Sequence, residues 1–316
     1  MRNQIVRFIK KFTGTAFHLL LRLCHSPLLL GWMIAGTVIA LITDGFSGVV
    51  STLVNLFLVG MYAVIIKLMT ENKEAPKAPI KRPASETVLG ISFFLISIFN
   101  SFQFFQLIKI PAISGFYNAF FTQLYTNVNL LANAGFPQWS LSFISNALSS
   151  TVLQLVPILI IFILLGYNLR GMSLRPRFWK LSLTLLGISI LMGLPVSSLH
   201  ESPLYQTAAI YLIHLFINGV PEELFYRGFL LPRFEAVMHH PINALVVTSI
   251  LFNAAHIPFS ISHGSSIPMV ILDVFSMSYP SGLIWGYLYL RTRSVVPGML
   301  WHTANGTLGG FLVYLG

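Results

Sequence analysis

Long runs of apolar residues, separated by short polar or basic segments, dominate the chain. A helix that crosses the hydrocarbon core of a bilayer needs about 17–25 apolar residues, and most of the runs come near this length. The pattern predicts an all-α protein, a polytopic bundle of about eight or nine transmembrane helices. The predicted spans are residues 26–43, 48–69, 88–110, 151–169, 181–199, 206–230, 241–258, 268–290 and 295–315.

Two stretches between the predicted spans have a different character. Residues 70–87 are polar, rich in proline and mixed in charge, which is typical of a flexible linker. Residues 111–140 are aromatic and rich in Asn, too polar to span a bilayer and too apolar for a free loop. They predict an amphipathic helix that lies in the membrane interface on the outer face.

Composition supports a membrane protein. Hydrophobic residues make up 55% of the 316 residues and charged residues only 9%, whereas soluble domains carry about 25% charged residues. The single cysteine, Cys24, excludes an intramolecular disulfide and a multi-cysteine metal site. No small-residue cleavage site follows the first apolar run, so the basic segment 1–14 is expected to lead into an uncleaved anchor.

The basic residues predict the orientation in the membrane. If the N-terminus lies in the cytoplasm and the spans alternate, only Lys109 of the 19 basic residues falls outside, and Arg227 falls within a span. The cytoplasmic set is Arg2, Arg7, Lys10, Lys11, Arg22, Lys67, Lys73, Lys77, Lys81, Arg82, Arg170, Arg175, Arg177, Lys180, Arg233, Arg291 and Arg293. We expect a multi-pass protein of a bacterial cell membrane, or of the endoplasmic reticulum membrane in a eukaryote. An even span count with a re-entrant segment is the alternative.

Polar side chains concentrate in the C-terminal third. A charged side chain near the bilayer centre costs about 2.5–3.5 kcal/mol, which makes each one a candidate functional residue. The polar residues of the last four spans are His214, Glu222, Glu223, Arg227, Asn253, His256, Asp273, His302 and Asn305.

Helix geometry separates the two adjacent glutamates. Glu223 and Arg227 are four residues apart on one helix face, in the favourable order for an ion pair. Glu222 points about 100° away and has no helical partner. A desolvated carboxylate of this kind is suited to act as a general base.

The remaining polar residues suit hydrolysis. A Glu can take a proton from water, a His can orient that water, and His or Asn N–H groups can hold an oxyanion. The same side chains could instead bind a metal ion with one open position. At about 1.5 Å per residue, Glu222 and His302 lie roughly 10 Å from the inner ends of their spans, which predicts a cavity open to the cytoplasm. His256 lies roughly 20 Å deep.

Three short motifs carry a resemblance to a known family. They are 222-EELFYR-227, 252-FNAAH-256 and 302-HTAN-305, on three apolar segments in this order. They resemble the EExxxR, FxxxH and His-to-Asn elements of the CAAX protease and bacteriocin-processing (Abi) family, which includes the Rce1-type prenyl proteases. The matches extend over residues 222–305, about a quarter of the chain.

The resemblance implies an intramembrane, glutamate-dependent endopeptidase of the CAAX prenyl protease type. Glu222 would activate water together with His256, and His302 and Asn305 would form the oxyanion site. Glu223, Arg227 and Phe252 would support them. No cofactor is assigned, with zinc as the alternative because family members were first labelled metalloproteases.

The expected partners are the bilayer and a membrane-associated protein or peptide substrate, a prenylated one being a candidate; nucleic acid is not expected. We divide the chain into anchor spans and linker, residues 1–87, and a protease domain, residues 88–316, with a motif-bearing core at 205–316.

One position departs from the family pattern. The family places Asn or Asp four residues after the His, where this chain has Gly306, so Asn305 at three residues would substitute. The segment 45-GFSG-48 has the form of a rhomboid serine motif but is interpreted as a turn. The segment 200-HESPL-204 lacks the second His of a zincin site. A proton-coupled transporter or a non-catalytic scaffold on the same helices is the alternative function, although no internal repeat of the kind found in transporters is evident.

Overall fold

The computed structural model describes residues 2–71, 76–77, 79–175, 178–193, 203–277 and 280–308. Within these ranges the secondary structure is helical and no strand occurs, which confirms the all-α prediction. Lys73, Arg177, the segment 200–202 and the ends of predicted spans 181–199 and 295–315 lie outside the described residues.

The helices are α1 (Arg2–Cys24), α2 (Pro27–Met69), α3 (Pro83–Phe104), α4 (Pro111–Asn133), α5 (Gln138–Leu164), α6 (Trp179–Gly193), α7 (from Leu204 to Met238), α8 (Pro241–Ala254), α9 (Ile257–Ser262), α10 (Ile267–Phe275), α11 (Ser281–Thr292) and α12 (Val296–Leu308). Among the described residues, four helical stretches are long and apolar enough to cross a membrane: α2, α3, α5 and Pro241–Ser262. The chain is therefore a membrane protein by fold, and the count of eight or nine spans stays a prediction, as does the domain boundary after residue 87.

Helix α2 doubles back at Gly45. This residue has φ 65° and ψ −147°, a conformation open to glycine. Ser26, just before α2, donates a 2.7 Å hydrogen bond to Asn243, and Arg291 donates a 3.0 Å bond to Thr70, just after α2. Helices α8 and α11 run antiparallel, so these contacts place both ends of α2 at one end of the bundle. The bend agrees with the turn predicted between residues 43 and 48.

The segment 45-GFSG-48 therefore lies in a turn. The exposed Ser47 donates a 2.7 Å hydrogen bond to the Asp44 carbonyl. This contact stabilises the turn and agrees with its interpretation from sequence.

Helix α5 begins earlier than the sequence pattern predicted. The predicted span started at residue 151, but the helix starts at Gln138 and includes a run of serines. Ser149 donates a 2.7 Å hydrogen bond to the Ser145 carbonyl, and Ser150 bonds the Ile217 carbonyl on α7 at 2.5 Å. Because backbone carbonyls satisfy these hydroxyls, a polar run can continue an apolar helix. The helix predicted within residues 111–140 is present as α4.

Charged residues gather at one end of the bundle, which we call the basic end and define by Arg82, Arg233, Arg291 and Arg293. The sequence placed Arg233 in the cytoplasmic segment after the predicted span 206–230, whereas helix α7 continues to Met238 and includes it. Its side chain is buried and pairs with Glu86 of α3 at 2.8 Å, which compensates a charge that is costly in apolar surroundings.

Helix α7 lies at the centre of the fold, and glycines allow its neighbours to approach closely. A Cβ on Gly90 of α3 would lie 2.6 Å from Leu230, and one on Gly219 of α7 would lie 2.1 Å from Thr303 of α12. Small residues at helix contacts are typical of membrane bundles, where close packing replaces the hydrophobic effect. The polar residues of α7 are thus held against α3, α8, α11 and α12.

Candidate active site

The glutamates lie on an irregular part of α7. Its segments are α-helical at Leu204–His214, π-helical at Leu215–Gly219, α-helical at Val220–Glu222, π-helical at Glu223–Leu230 and α-helical at Leu231–Met238. Pro221 has no N–H and cannot bond the Ile217 carbonyl four residues earlier. A π-helical turn absorbs this defect, and Ser150 of α5 bonds the free carbonyl instead.

Glu223 and Arg227 form the predicted ion pair. The Arg227 Nη1 donates to Glu223 Oε1 at 3.0 Å, and both side chains are buried. Arg227 also donates to the Gly282 carbonyl at 3.3 Å, and its guanidinium carbon lies 4.6 Å from the Phe252 ring centroid. The Tyr226 and Trp285 rings also lie within about 6 Å, so one carboxylate and three aromatic rings surround this cation.

His302 lies between the two glutamates. Its Nδ1 is 3.1 Å from Glu223 Oε1, and its Nε2 is 3.6 Å from Glu222 Oε2. A carboxylate accepts hydrogen bonds, so Nδ1 carries a proton. The His302 ring is buried and stacks on Trp285 with centroids 3.8 Å apart. A second proton on this imidazole would make the cluster of two carboxylates and Arg227 neutral.

Glu222 is the carboxylate with the weakest set of partners. It is rotated away from Arg227, as predicted, and its side chain is 20% exposed, compared with 1% for Glu223. Its Oε2 has no hydrogen-bond partner among the described residues. Glu223 Oε2 also lacks a partner, but the Glu222 side chain is the more exposed of the two, so Glu222 is the carboxylate that water or substrate can reach.

His256 faces the same cavity as Glu222. Its Nδ1 lies 2.9 Å from the Phe252 carbonyl, so Nδ1 donates and a neutral ring leaves Nε2 as an acceptor. The side chain is exposed, because α8 ends at Ala254 and His256 follows directly. An accepting Nε2 is suited to orient a water molecule.

Phe252 is a packing residue between the two histidines. Its ring meets His256 edge-on at a centroid distance of 5.0 Å and His302 at 5.8 Å. The ring is buried, and it also contacts Tyr226 and Trp285. These are the contacts of a packing residue, and the supporting role of Phe252 in the site stays a prediction.

A cavity of about 510 Å³ adjoins Glu222. On the side of α7 and α8, the carboxylate, imidazole and amide side chains that line it among the described residues are Glu222, His256 and Asn218. The opposite wall comes from α3 and α5, with Ser97, Asn100, Phe104, Asn146, Ser149, Ser150 and Gln154. The lining is mixed, with aromatic rings, amides and hydroxyls, which suits a peptide backbone as ligand.

The cavity lies in the half of the bundle away from the basic end. At about 1.5 Å per residue, Glu222 is roughly 16 Å along α7 from Arg233, and His256 is roughly 20 Å along α8 from Asn243. On α3 the lining begins at Phe93 and continues to the helix end at Phe104. The prediction of a cavity open to the cytoplasm stays a prediction. The distance of His256 from Asn243 agrees with the depth of roughly 20 Å expected for this histidine.

His302 and Asn305 are not among the described lining residues. Both are buried, with 6% and 8% of their surface exposed. His302 reaches Glu222 from behind the cavity wall, whereas the role of Asn305 stays a prediction. Sequence reasoning missed Asn218, although it precedes Glu222 by one helical turn within an apolar run.

The comparison with known families agrees with these positions. Residues 204–308 match the model of the family described as Type II CAAX prenyl endopeptidase Rce1-like. This segment is similar to that family. It contains the two glutamates, both candidate histidines and Asn305. The match supports a membrane protease at the level of the family, as the three motifs indicated.

The match covers the C-terminal part of the chain, from α7 to α12. No curated protein and no solved structure matches the chain. The matched segment contains both Glu222 and His302, which lies against it. Helices α3 and α5 lie outside the match and form the opposite wall of the cavity.

In the part of the chain that the structure describes, no group of three or more His, Cys, Asp or Glu side chains is placed to hold a metal ion. Both ring nitrogens of His302 face carboxylates, and Nδ1 of His256 faces a backbone carbonyl. A histidine whose Nδ1 is bonded in this way keeps Nε2 for another ligand, so a zinc ion stays the alternative to a metal-free site.

Proposed function

We propose that this protein is an intramembrane endopeptidase that uses Glu222 to activate water for hydrolysis of a peptide bond. The observation that supports it most directly is the shared cavity, in which the incompletely bonded Glu222 carboxylate and the His256 ring face the same space. The Rce1-like family is a peptidase family, which fits this chemistry.

Each polar residue has a role in the proposed reaction. Glu222 takes a proton from water while His256 Nε2 holds the second hydrogen of that water, so the oxygen can attack the substrate carbonyl. His302, placed against Glu222 at 3.6 Å, stabilises the charge that develops near it. Glu223 fixes the His302 ring through Nδ1, and Arg227 fixes Glu223.

The proposed substrate is a membrane-associated protein or peptide. The family description is that of a CAAX prenyl endopeptidase, and a lipid-bearing or strongly apolar peptide fits a cavity lined by Phe93, Phe94 and Phe104. We place the basic end and the N-terminus in the cytoplasm by the positive-inside rule. The cavity then opens toward the opposite half of the bilayer, which favours substrates anchored or presented there.

The test of the chemistry compares cells that carry the wild-type protein with cells that carry Glu222→Gln. Membrane and secreted peptides are identified by mass spectrometry, and the protein level in membranes is measured in parallel. We expect peptides that are released only with the wild-type protein. Equal peptide sets at equal protein levels would contradict the endopeptidase and favour a transporter or scaffold.

The orientation has its own test. Single cysteines are introduced at the exposed Asn168, in the loop bonded by Lys81 near the basic end, and at the exposed Ser265, at the other end, in a Cys24→Ser background. A membrane-impermeant thiol reagent applied to intact cells should label residue 265 and leave residue 168 unlabelled. The reverse labelling would place the cavity toward the cytoplasm.

The proposed reaction needs no metal ion. Activity of the purified protein should survive exhaustive chelation, and elemental analysis should find no stoichiometric zinc. Loss of activity on chelation with recovery on added zinc would overturn this part of the proposal.

A further inference from the structure

An amide side chain that the three motifs do not include lies beside Glu222. Asn218 precedes Glu222 by four residues, in the π-helical segment Leu215–Gly219, and both residues line the cavity with His256. Residues four apart lie on the same face of a helix. Asn218 therefore belongs to the wall against which a substrate carbonyl would lie.

The Asn218 amide has unused hydrogen-bonding capacity. Its Oδ1 is buried and has no hydrogen-bond partner among the described residues. A buried polar atom without a partner is costly, so such a group in a cavity wall is a candidate to meet a ligand. The amide can exchange the positions of its oxygen and nitrogen by rotation, and its N–H donors can then turn toward the cavity.

Gly306 of α12 provides the space that this amide occupies. A Cβ at residue 306 would lie only 2.8 Å from the Asn218 nitrogen, closer than side chains tolerate. The Asn218 amide on α7 therefore packs against α12 only because residue 306 is a glycine. Position 306 is also the one at which this chain departs from the His-to-Asn spacing of the motif.

Asn305 is the other amide near His302, but its surroundings differ. It is 8% exposed and is not among the described residues that line the cavity. In a helix it points about 100° away from residue 306. Asn218 therefore has better access than Asn305 to a group bound next to Glu222.

We propose that Asn218 is a catalytic residue that donates a hydrogen bond to the oxyanion formed during peptide hydrolysis, from the space left open by Gly306. This inference rests on the proposed function. Glu222 takes one proton of the water, the water oxygen bonds the carbonyl carbon, and the carbonyl electron pair moves to oxygen, where Asn218 N–H meets it. When the C–N bond breaks, the pair returns and the leaving amine takes the proton from Glu222.

The experiment measures turnover by purified protein in proteoliposomes. The probes are two quenched fluorescent peptides, one ending in a farnesylated CAAX-type sequence and one apolar without a lipid. Asn218→Ala should lower kcat by about 10²–10³-fold with little change in KM, because the donor acts on the transition state. Asn127→Ala, which removes an exposed amide of α4 far from the cavity, is the matched control and should retain wild-type kinetics.

Two further variants separate chemistry from folding. Asn218→Asp keeps the shape and removes the amide donor, so it should lose kcat as Asn218→Ala does. Gly306→Asn in the Asn218→Ala background places an amide on α12 next to the vacated space and should regain at least part of the lost kcat. Gly306→Asn alone should lower kcat, since the two amides collide.

The outcomes distinguish this inference from the proposed function. If Glu222→Gln abolishes cleavage while Asn218→Ala and Asn218→Asp keep wild-type kcat, Asn218 is not the oxyanion donor and the endopeptidase stands. The same conclusion follows if both Asn218 variants reduce only folded protein or KM. If Glu222→Gln cleaves as fast as the wild-type protein, or the wild-type protein cleaves neither peptide, the proposed function itself fails.

Discussion

Glu86 and Glu222 are both carboxylates inside an apolar bundle, and they differ in how completely they are bonded. Glu86, near the basic end, accepts hydrogen bonds from Tyr167, from Arg233 at 3.0 Å and from the Arg82 backbone, so both of its oxygens are engaged. Glu222 faces a cavity, and its Oε2 has no hydrogen-bond partner in the described part of the chain. The two sites show the difference between a charge that stabilises the fold and one available for chemistry.

The difference arises from the position of the cation. Arg233 reaches Glu86 from another helix, so the pair joins α7 to α3. Arg227 is taken by Glu223, and Glu222 is left with His302 at 3.6 Å. A fully paired buried charge resists change, because removal of one partner leaves the other uncompensated. A partly paired one can exchange a proton without breaking the fold.

The largest expected effect is on turnover. Glu222→Gln should lower peptide cleavage by at least about 10³-fold, the upper range for loss of a general base, with a nearly normal melting temperature in detergent. Glu86→Gln should instead lower the melting temperature, because it weakens the bridge to Arg233. The cleavage rate per folded molecule should stay unchanged. A Glu86→Gln protein that is stable but inactive would remove the distinction between the two carboxylates.

The next effect is on stability at the ion pair behind Glu222. Arg227→Met should destabilise the protein by about 3–5 kcal/mol, because Glu223 is then a buried charge without its cation. Glu223→Gln combined with Arg227→Met should recover part of this loss, since the buried charge is removed as well. Thermal unfolding of the single and double variants measures the coupling. Additive losses would indicate that the two side chains do not act as a pair.

Sequence reasoning found the carboxylates and histidines because charge is rare in apolar helices. The ion pair of Glu223 with Arg227 and the divergence of Glu222 follow from helix periodicity, which survives the π-helical turns at this spacing. The contact of His302 with both glutamates did not follow, since it depends on how α12 approaches α7. Asn218 was missed because an Asn in an apolar run carries no charge signal.

The same limit explains the errors in the fold. The hydropathy pattern finds apolar runs, so the serine-rich start of α5 was left out of the predicted span 151–169. The bonds that satisfy its hydroxyls include tertiary contacts such as Ser150 to Ile217. Arg233 was counted as a loop charge because its partner Glu86 is 147 residues away in sequence. The cavity is lined by residues at the end of α3 and just after α8. Its position along the bundle therefore depends on where these helices end, which the hydropathy pattern does not fix.

A smaller effect is expected at Gly298, which packs against Glu223. A Cβ here would lie 2.5 Å from Glu223 Oε2, so Gly298→Ala should displace this carboxylate and the His302 ring that it holds. Overpacking of this kind costs about 1–3 kcal/mol, and kcat should fall with the loss of His302 orientation. Gly60→Ala on α2 has no neighbour within 4 Å and is the matched control. Equal behaviour of the two variants would show that Glu223 does not depend on this contact.

The smallest effect concerns the other carboxylate of the basic end, Glu235. Burial alone raises its pKa, but hydrogen bonds and charges from Arg293 and Lys77 outweigh burial and lower the pKa below its ordinary value of 4.5. Since the folded pKa is depressed, the stabilisation is fully present above pH 4.5 and is lost as the pH falls toward the folded value.

The melting temperature of the wild-type protein should therefore exceed that of Glu235→Gln at pH 7, and the difference should shrink as the pH drops below 4.5. Glu71→Gln removes an exposed partner of Lys11, a surface pair worth about 0–1 kcal/mol, and should change little at either pH. If the difference in melting temperature between the wild-type protein and Glu235→Gln persisted unchanged at low pH, Glu235 would stabilise the protein by packing rather than by its ionised carboxylate. Glu235 would then differ from Glu86, whose bonded charge is what stabilises the fold.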